Sequence, residues 1–549
     1  MQLSKLTKLA FQTISGLTAA LALSRPAWSA DRIVLSYGIL ERSVSVSALE
    51  AYARQGVLDS DLYVYSQYVD AAQLATLRKA LLARADLSPV AVSQFLYTQQ
   101  GEILLRRLGE VIQPESRDTG FFAIRAALIL ASAEPEGLTL LNVFRKFPTR
   151  GIRIDLQRSL QIANDFGDLI GRTRQATDLV AQIASQEVTP LPGGTIPDLT
   201  ARGAYGFQRN SLRFVDRSRG FVQALGRERV FPVDVYLPIA RRQALPRLIP
   251  VVVISHGLGS DRGTFRYLAE HLASHGFAVA IPEHPGSNAK QLQALVDGTA
   301  NEVTSPSEFI DRPLDIRFVL DELERKTTSN PQYSRLNVKQ VGVLGQSFGG
   351  YTAMALAGAP INFTQLQQSC RPEAVDRTLN LSLLLQCRAA ALPAINYNLG
   401  DPRVKAIIAI NPISSSVFGQ ASVSQIRTPT MILAGNADTI APALPEQIQP
   451  FTWLQTNDRY LGVIEQGTHF SNLGQGNDEG VPVPPEVIGP NPAIARRYTN
   501  ALSLAFFQTY INNQANYRPY ISATYARAIS QDPLRLSLVQ SLTISQLDR

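Results

Sequence analysis

The segment Gly345-Gln346-Ser347-Phe348-Gly349-Gly350 has the clearest chemical content in this sequence. It follows the apolar run Val341–Leu344 and precedes the helix-compatible Tyr351–Ala357. In that setting G-x-S-x-G makes a sharp strand–turn–helix bend that lifts the serine hydroxyl out at a helix N-terminus. A hydroxyl becomes a nucleophile only when a base takes its proton. Of the five histidines (His256, His271, His275, His284 and His469), only His469 follows Ser347 in the chain. It stands in Gly467-Thr468-His469-Phe470, directly after the strand-like run Tyr460–Ile464. A third group, a carboxylate, is needed to orient the imidazole and stabilise its protonated form. Asp438 fits, because it follows the run Thr430–Ala434 within the turn Gly435–Pro442. The end of Val404–Ile410 carries Asn411, which cannot supply the charge, and Asp458 precedes its strand.

Nucleophilic attack on a carbonyl also needs donors aimed at the developing oxyanion. The backbone N–H of Phe348, next to the nucleophile, is one candidate. Leu258, in His256-Gly257-Leu258-Gly259 after the run Ile249–Ser255, is the other. His256 and His284 both follow strand-like runs and read as loop-shaping or hydrogen-bonding residues.

The elements that must position these residues are legible from about residue 200 onward. Short apolar runs at Val230–Leu237, Ile249–Ser255, Ala278–Ile281, Val341–Leu344, Val404–Ile410, Thr430–Ala434 and Tyr460–Ile464 alternate with helix-like segments such as Phe265–Ser274 and Leu314–Arg325. Continuous apolar strands separated by helices predict a mostly parallel sheet covered on both faces. Its chemistry belongs beyond the carboxyl ends of the strands. Residues 31–190 read instead as an all-helical domain, with apolar stripes in Ala71–Arg84, Phe121–Ala133 and Ile152–Ile170. That half holds no histidine or cysteine and is expected to pack, bind or cover rather than catalyse. The turn-rich stretch 191–200 serves as the linker, 201–513 as the catalytic domain and 514–549 as a helical tail.

The 549 residues, 45% apolar and 18% charged, exclude a disordered chain and suggest two domains. A net charge of +7 without a basic run gives no indication of nucleic acid. Lys5 and Lys8 precede the apolar stretch Leu9–Leu23, and Ala27-Trp28-Ser29-Ala30 follows. That order is a secretory signal peptide over 1–30, so the protein is expected to be exported, periplasmic or secreted. In an oxidising compartment the two cysteines, Cys370 and Cys387, are expected to form a disulfide. They lie in the long segment 359–401, read as a lid or pocket wall. Two cysteines without a nearby histidine cannot make a zinc site, and no metal or organic cofactor is implied.

Residues 200 to about 510 resemble an α/β-hydrolase of the group containing platelet-activating-factor acetylhydrolases, polyester-cleaving cutinases and bacterial predicted dienelactone hydrolases. The segments Ser255–Gly259, Leu272–Phe277, Glu283-His284 and Ile316–Leu323 resemble the acetylhydrolases. Asp438–Pro442 and Gly467–Phe470 resemble the cutinases, and Gly345–Gly350 fits both. The helical N-terminal half resembles a domain of unknown function found ahead of such hydrolases. Two departures matter. Plasma-type acetylhydrolases place their acid where this chain has Asn411, and authentic dienelactone hydrolases use a cysteine where this chain has Ser347.

The resemblance implies a secreted serine hydrolase acting on a small-molecule or lipid carboxylic ester. A phospholipase or acetylhydrolase-like lipase, with contact at a membrane surface, is one alternative. A catalytically vestigial envelope binding protein is the other.

Overall fold

The computed structural model describes residues 29–85, 87–192, 196–219, 228–241, 243–476 and 485–547. The signal peptide expected over 1–30 lies outside the described residues except for Ser29 and Ala30. The chain forms two compact units, one running to Asn164 and the other starting at Asp165.

The first unit is not all-helical. Four short strands form a sheet in the order Leu40–Ser45, Arg32–Tyr37, Gly151–Asp155, Ile112–Pro114. Helices including Val46–Gln55, Gln99–Val111 and Phe121–Ser132 complete it. Ile33, Leu49, Leu105, Ile124 and Ile152 share one core. The strands run three to six residues, too short for their alternation to stand out against the helical stripes around them. Ile152, expected on a helix face, lies in one of these strands.

The second unit is built on a nine-stranded sheet. Its strands are β1 (Gly206–Asp216), β2 (Arg229–Ile239), β3 (Ile249–Ser255), β4 (Ala278–Pro282), β5 (Leu336–Gln346), β6 (Val404–Ile410), β7 (Thr430–Gly435), β8 (Arg459–Ile464) and β9 (Leu536–Val539). They lie in the order β9-β8-β7-β6-β5-β3-β4-β2-β1. The block from β8 to β4 is parallel, and β9, β2 and β1 pair antiparallel at the flanks. The run Val251-Val252-Val253-Ile254 shows why β3 needs cover on both sides. Val251 and Val253 enter one core, Val252 and Ile254 the other, and all four are fully buried. Burying each such side chain contributes on the order of 1.5–3 kcal/mol.

Five helices supply much of the cover: α1 (Leu156–Gln186), α2 (Arg266–Ser274), α3 (Glu308–Ser329), α4 (Phe348–Leu356) and α5 (Pro492–Tyr510). Leu268 of α2 and Phe506 of α5 enter the Val252 core, while Ile316 of α3 and Met354 of α4 enter the Val251 core. Ala176, Val180 and Ala184 of α1 join the latter. The units therefore part within α1, earlier than the linker expected at 191–200: an apolar stripe that reads as belonging to the first half is used by the second.

The tail beyond residue 513 is also not wholly helical. After the 3-10 helix Ala515–Tyr520 and the α-helix Ala523–Ile529 it returns as a strand, β9, antiparallel to β8. The segment 359–401 holds three short helices, Phe363–Ser369, Pro372–Arg377 and Leu381–Gln386, and a 3-10 turn, Cys387–Ala391. Cys370 and Cys387 are disulfide-bonded across 17 residues. In the chain-entropy model a loop of that size is worth about 3 kcal/mol.

Candidate active site

Ser347 sits at the junction of β5 and α4 with φ +56° and ψ −116°, a conformation that costs a side-chain-bearing residue about 1–3 kcal/mol. Close packing enforces the bend. A Cβ on Gly345 would lie 1.9 Å from the Gly349 carbonyl oxygen, and one on Gly349 would lie 2.0 Å from the Ser255 carbonyl oxygen. The Ser347 N–H donates to Ile410 O at 2.9 Å, which registers the turn on β6.

The three residues expected to act together form one hydrogen-bonded chain. Ser347 Oγ lies 2.9 Å from His469 Nε2, and His469 Nδ1 lies 2.6 Å from Asp438 Oδ2. The other Asp438 oxygen accepts the backbone N–H groups of Ile440 and Ala441 at 2.8 and 2.7 Å. All three side chains are buried, so the chain is shielded from water that would compete for its hydrogen bonds. Two other carboxylates at the ends of these strands are occupied elsewhere. Asp401 pairs with Arg403, and Asp458 accepts from Tyr510 and Arg518.

Two amide side chains, whose positioning parts sequence reasoning missed, hold this arrangement. Gln346 Nε2 donates to the His469 carbonyl at 3.0 Å. Asn411 donates through Nδ2 to the Thr468 carbonyl at 3.1 Å, and its Oδ1 accepts the Gly435 N–H at 3.0 Å. Asn411 thus ties the end of β7 to the loop carrying His469. Its place at the end of β6, with a polar side chain instead of a charge, is the one signal that could have marked it.

The segment 359–401 reaches the same loop. The Ser382 N–H donates to Ile440 O at 2.8 Å. Gln386 accepts the Ser416 and Val417 N–H groups and donates to the fully buried Glu446, which in turn accepts the Ser414 and Ser415 N–H groups. A cleft of ≈ 520 Å³ opens beside Asp438, walled by Phe166, Leu169, Ile170 and Thr173 of α1 and by Ala437 and Thr439. That wall lies upstream of the region expected to carry the site.

Leu258 lies in the loop after β3, and Phe348 opens the first turn of α4. His256 and His284 stand behind the Leu258 loop and outside the Ser347 chain. His256 Nδ1–H donates to Gly257 O at 2.8 Å, and its Nε2 accepts the His284 N–H at 3.0 Å. His284 bonds Asp315 through Nδ1 at 2.8 Å and Ser255 Oγ through Nε2 at 3.0 Å. Burial, and then the nearby Arg312, holds His256 well below its ordinary value and draws His284 down to about 4. Burial alone would raise Asp315, but Arg229, Arg219 and the His284 hydrogen bond overcome it and hold the carboxyl well below the usual range. Arg219 and Arg229 pair with Asp315 at 2.7 and 2.8 Å, and Arg229 with Glu308 at 2.6 Å.

A parallel block flanked by antiparallel strands, with a strained serine between β5 and α4 and an aspartate and a histidine after later strands, has the architecture of the α/β-hydrolase fold. Comparison with known proteins agrees. Residues 29–155 match the family described as alpha/beta hydrolase of unknown function, and residues 235–333 match platelet-activating factor acetylhydrolase, isoform II. Cutinase 2 of Thermobifida cellulosilytica is 22% identical over 278 residues, 49% of this chain and 71% of that protein. Cutinase cut1 of Thermobifida fusca is 22% identical over 49% of this chain, and the match spans 59% of its own length. The platelet-activating factor acetylhydrolase of Bos taurus is 37% identical over 65 residues, 12% of this chain and 15% of its own.

Proposed function

We propose that this protein is a serine hydrolase that cleaves carboxylic esters through an acyl-enzyme. The observation that carries the reading is the buried hydrogen-bonded chain from Ser347 through His469 to Asp438. His469 Nε2 takes the Ser347 proton as Oγ bonds to the ester carbonyl carbon. The Leu258 and Phe348 N–H groups receive the oxyanion. Collapse of the tetrahedral adduct breaks the ester C–O bond, and His469 returns the proton to the departing alcohol oxygen. Water, deprotonated by His469, then attacks the acyl-enzyme and frees Ser347. Asp438 holds the imidazole tautomer that presents Nε2 to the serine.

Similarity to cutinases and acetylhydrolases supports an ester hydrolase or lipase of the α/β-hydrolase type. The match of residues 235–333 to the acetylhydrolase family favours, as a second reading, a lipid ester as substrate. Hydrolysis that rises sharply above the aggregation concentration of the substrate would select it. Export is supported by the disulfide, and among the described residues no helix is long and apolar enough to cross a membrane. The filled triad positions weigh against a vestigial binding protein.

The test is stoichiometric labelling of Ser347 by a fluorophosphonate, with p-nitrophenyl esters of graded acyl length as substrates. Labelling and turnover together are expected. An intact protein that neither labels nor hydrolyses any ester overturns the reading.

A further inference from the structure

The two proposed oxyanion donors belong to different elements, the loop after β3 and the first turn of α4. Their spacing therefore needs something that grips both. We propose that Arg312 is a positioning residue that fixes the Leu258 and Phe348 halves of the oxyanion hole against each other; this rests on the serine-hydrolase reading above.

Arg312 lies in α3 and is fully buried. Its Nη2 donates to the His256 carbonyl, two residues before Leu258, and lies 3.4 Å from Ser255 Oγ. Its Nη1 donates to Ser287 Oγ at 2.9 Å. The guanidinium carbon stands 4.6 Å from the centre of the Phe348 ring, in cation–π contact. One rigid planar group thus bonds the backbone of one donor loop and stacks on the side chain of the other donor. A lysine, with a single ammonium on a flexible stem, lacks the planar fork that lets one group bond two partners in its plane while its face lies on a ring.

Among the described residues Arg312 makes no direct ion pair, although the nearby Glu308 and Asp315 favour its charge. Glu308 and Asp315 are already paired with Arg229 and Arg219. Among the described residues, the hydrogen bonds of Arg312 go to two hydroxyls and a carbonyl. Ser287, which accepts from Arg312, is itself fixed by donating to Glu308 at 2.6 Å. Burial lowers the Arg312 guanidinium to about 9, so it remains charged at neutral pH.

The experiment compares full-length wild type with Arg312→Lys and Arg312→Gln on p-nitrophenyl acetate, together with inhibition by a trifluoromethyl ketone that forms a tetrahedral adduct on serine. Expected is a fall in kcat of about 10²-fold, the scale of losing one oxyanion donor. KM should stay within about threefold and the ketone should weaken by the same factor as kcat. Folded variants with near-wild-type kcat and ketone affinity overturn the proposal, as does a change in KM alone. Should both variants fail to fold, Ser287→Ala and Phe348→Leu carry the test. Each keeps the backbone donor but loosens the Arg312 grip, and each is expected to lower kcat and ketone affinity together; wild-type values in both overturn it. Wild-type labelling by a fluorophosphonate is scored first. Its absence overturns the hydrolase reading itself, whereas labelled wild type with unaffected variants overturns only the role of Arg312.

Discussion

On the proposed base side of Ser347, His469 and Asp438 are held by neutral groups: the Gln346 and Asn411 amides and the Ile440 and Ala441 backbone N–H groups. On the proposed oxyanion side, the Ser255–Leu258 loop rests on buried and half-buried ions, with Arg312, Asp315, Glu308 and Arg229 beside two histidines. The physical demands differ. A cation placed beside Asp438 would compete with His469 for the same carboxylate, whereas amides fix the loops without altering that pairing. Behind a loop proposed to receive negative charge, cations and rigidity act in the same direction. Burial makes an ion network costly to break, because removing one partner strands a charge. The comparison predicts that variants on the base side cost chemistry and that perturbing the ionic side also costs stability.

The largest effect should come from the nucleophile both sides serve. Ser347→Ala is expected to keep its melting temperature and to lose about 10⁶-fold in kcat. Turnover near wild type in a clean preparation would remove the base side from the comparison altogether. Next, Asp438→Asn should lower kcat by about 10⁴-fold, because the amide favours the wrong imidazole tautomer. Asp401→Asn and Asp458→Asn should leave kcat close to wild type, since those carboxylates serve Arg403 and the Tyr510–Arg518 pair. A crippled Asp458→Asn would place the acid before β8 instead of after β7.

Acid should expose the difference in building material. An unfolded histidine takes a proton near pH 6.5. Folded His284 resists until about 4 because burial and Arg312 oppose the charge. Between those values the unfolded state binds more protons, so stability is complete above about pH 6.5 and falls as pH drops toward 4. His284 alone accounts for on the order of 3 kcal/mol. His256, and His271, which burial draws down to about 3, act with the same sign. Melting temperature measured from pH 8 to 4 should be flat at first and then decline, and His284→Gln should shallow the decline. An unchanged slope in that variant would take the acid response away from the ionic side.

Much of this site was legible because its chemistry is local. The elbow glycines flank Ser347 in sequence, and chain order left one histidine for the base. The ionic side was not legible. Arg312 and Asp315 lie in the Glu308–Ser329 helix, where nothing in the spacing of the charges marks them as interior, and only tertiary packing buries them. The same limit governs the fold. The Val and Ile runs of β3 and β6 identify central strands unaided, because burial on both faces makes them continuously apolar. The four-residue β9 and the short strands of the first unit lack a pattern long enough to separate strand from turn. The apolar stripe of α1 predicts a helix over 152–170 but carries no label for the core it joins.

The smallest effect concerns Asn411, and it asks whether a charge could replace an amide on the base side. Asn411 has φ +41°, a left-handed conformation that asparagine tolerates better than most side-chain-bearing residues. It spends both ends of its amide, one on Gly435 N–H and the other on the Thr468 carbonyl. Asn411→Ala should free the loops carrying Asp438 and His469 and reduce kcat by about 10- to 100-fold with KM unchanged, the scale of a misplaced catalytic group. Asn411→Asp is the sharper probe. Its carboxylate can still accept from Gly435, but it cannot donate to the Thr468 carbonyl, and it adds a second negative charge near Asp438. It should therefore lose activity to a similar extent, with the deficit largest where the new carboxylate is ionised. The double variant Asn411→Asp, Asp438→Asn settles whether the acid can migrate one strand over. The His469 loop is held by Asn411 through a backbone carbonyl rather than through the imidazole, so the double variant should be no more active than Asp438→Asn alone. Recovery to near wild-type kcat would mean that the end of β6 can serve His469, and that Asn411 is a vacated acid position instead of a neutral clamp.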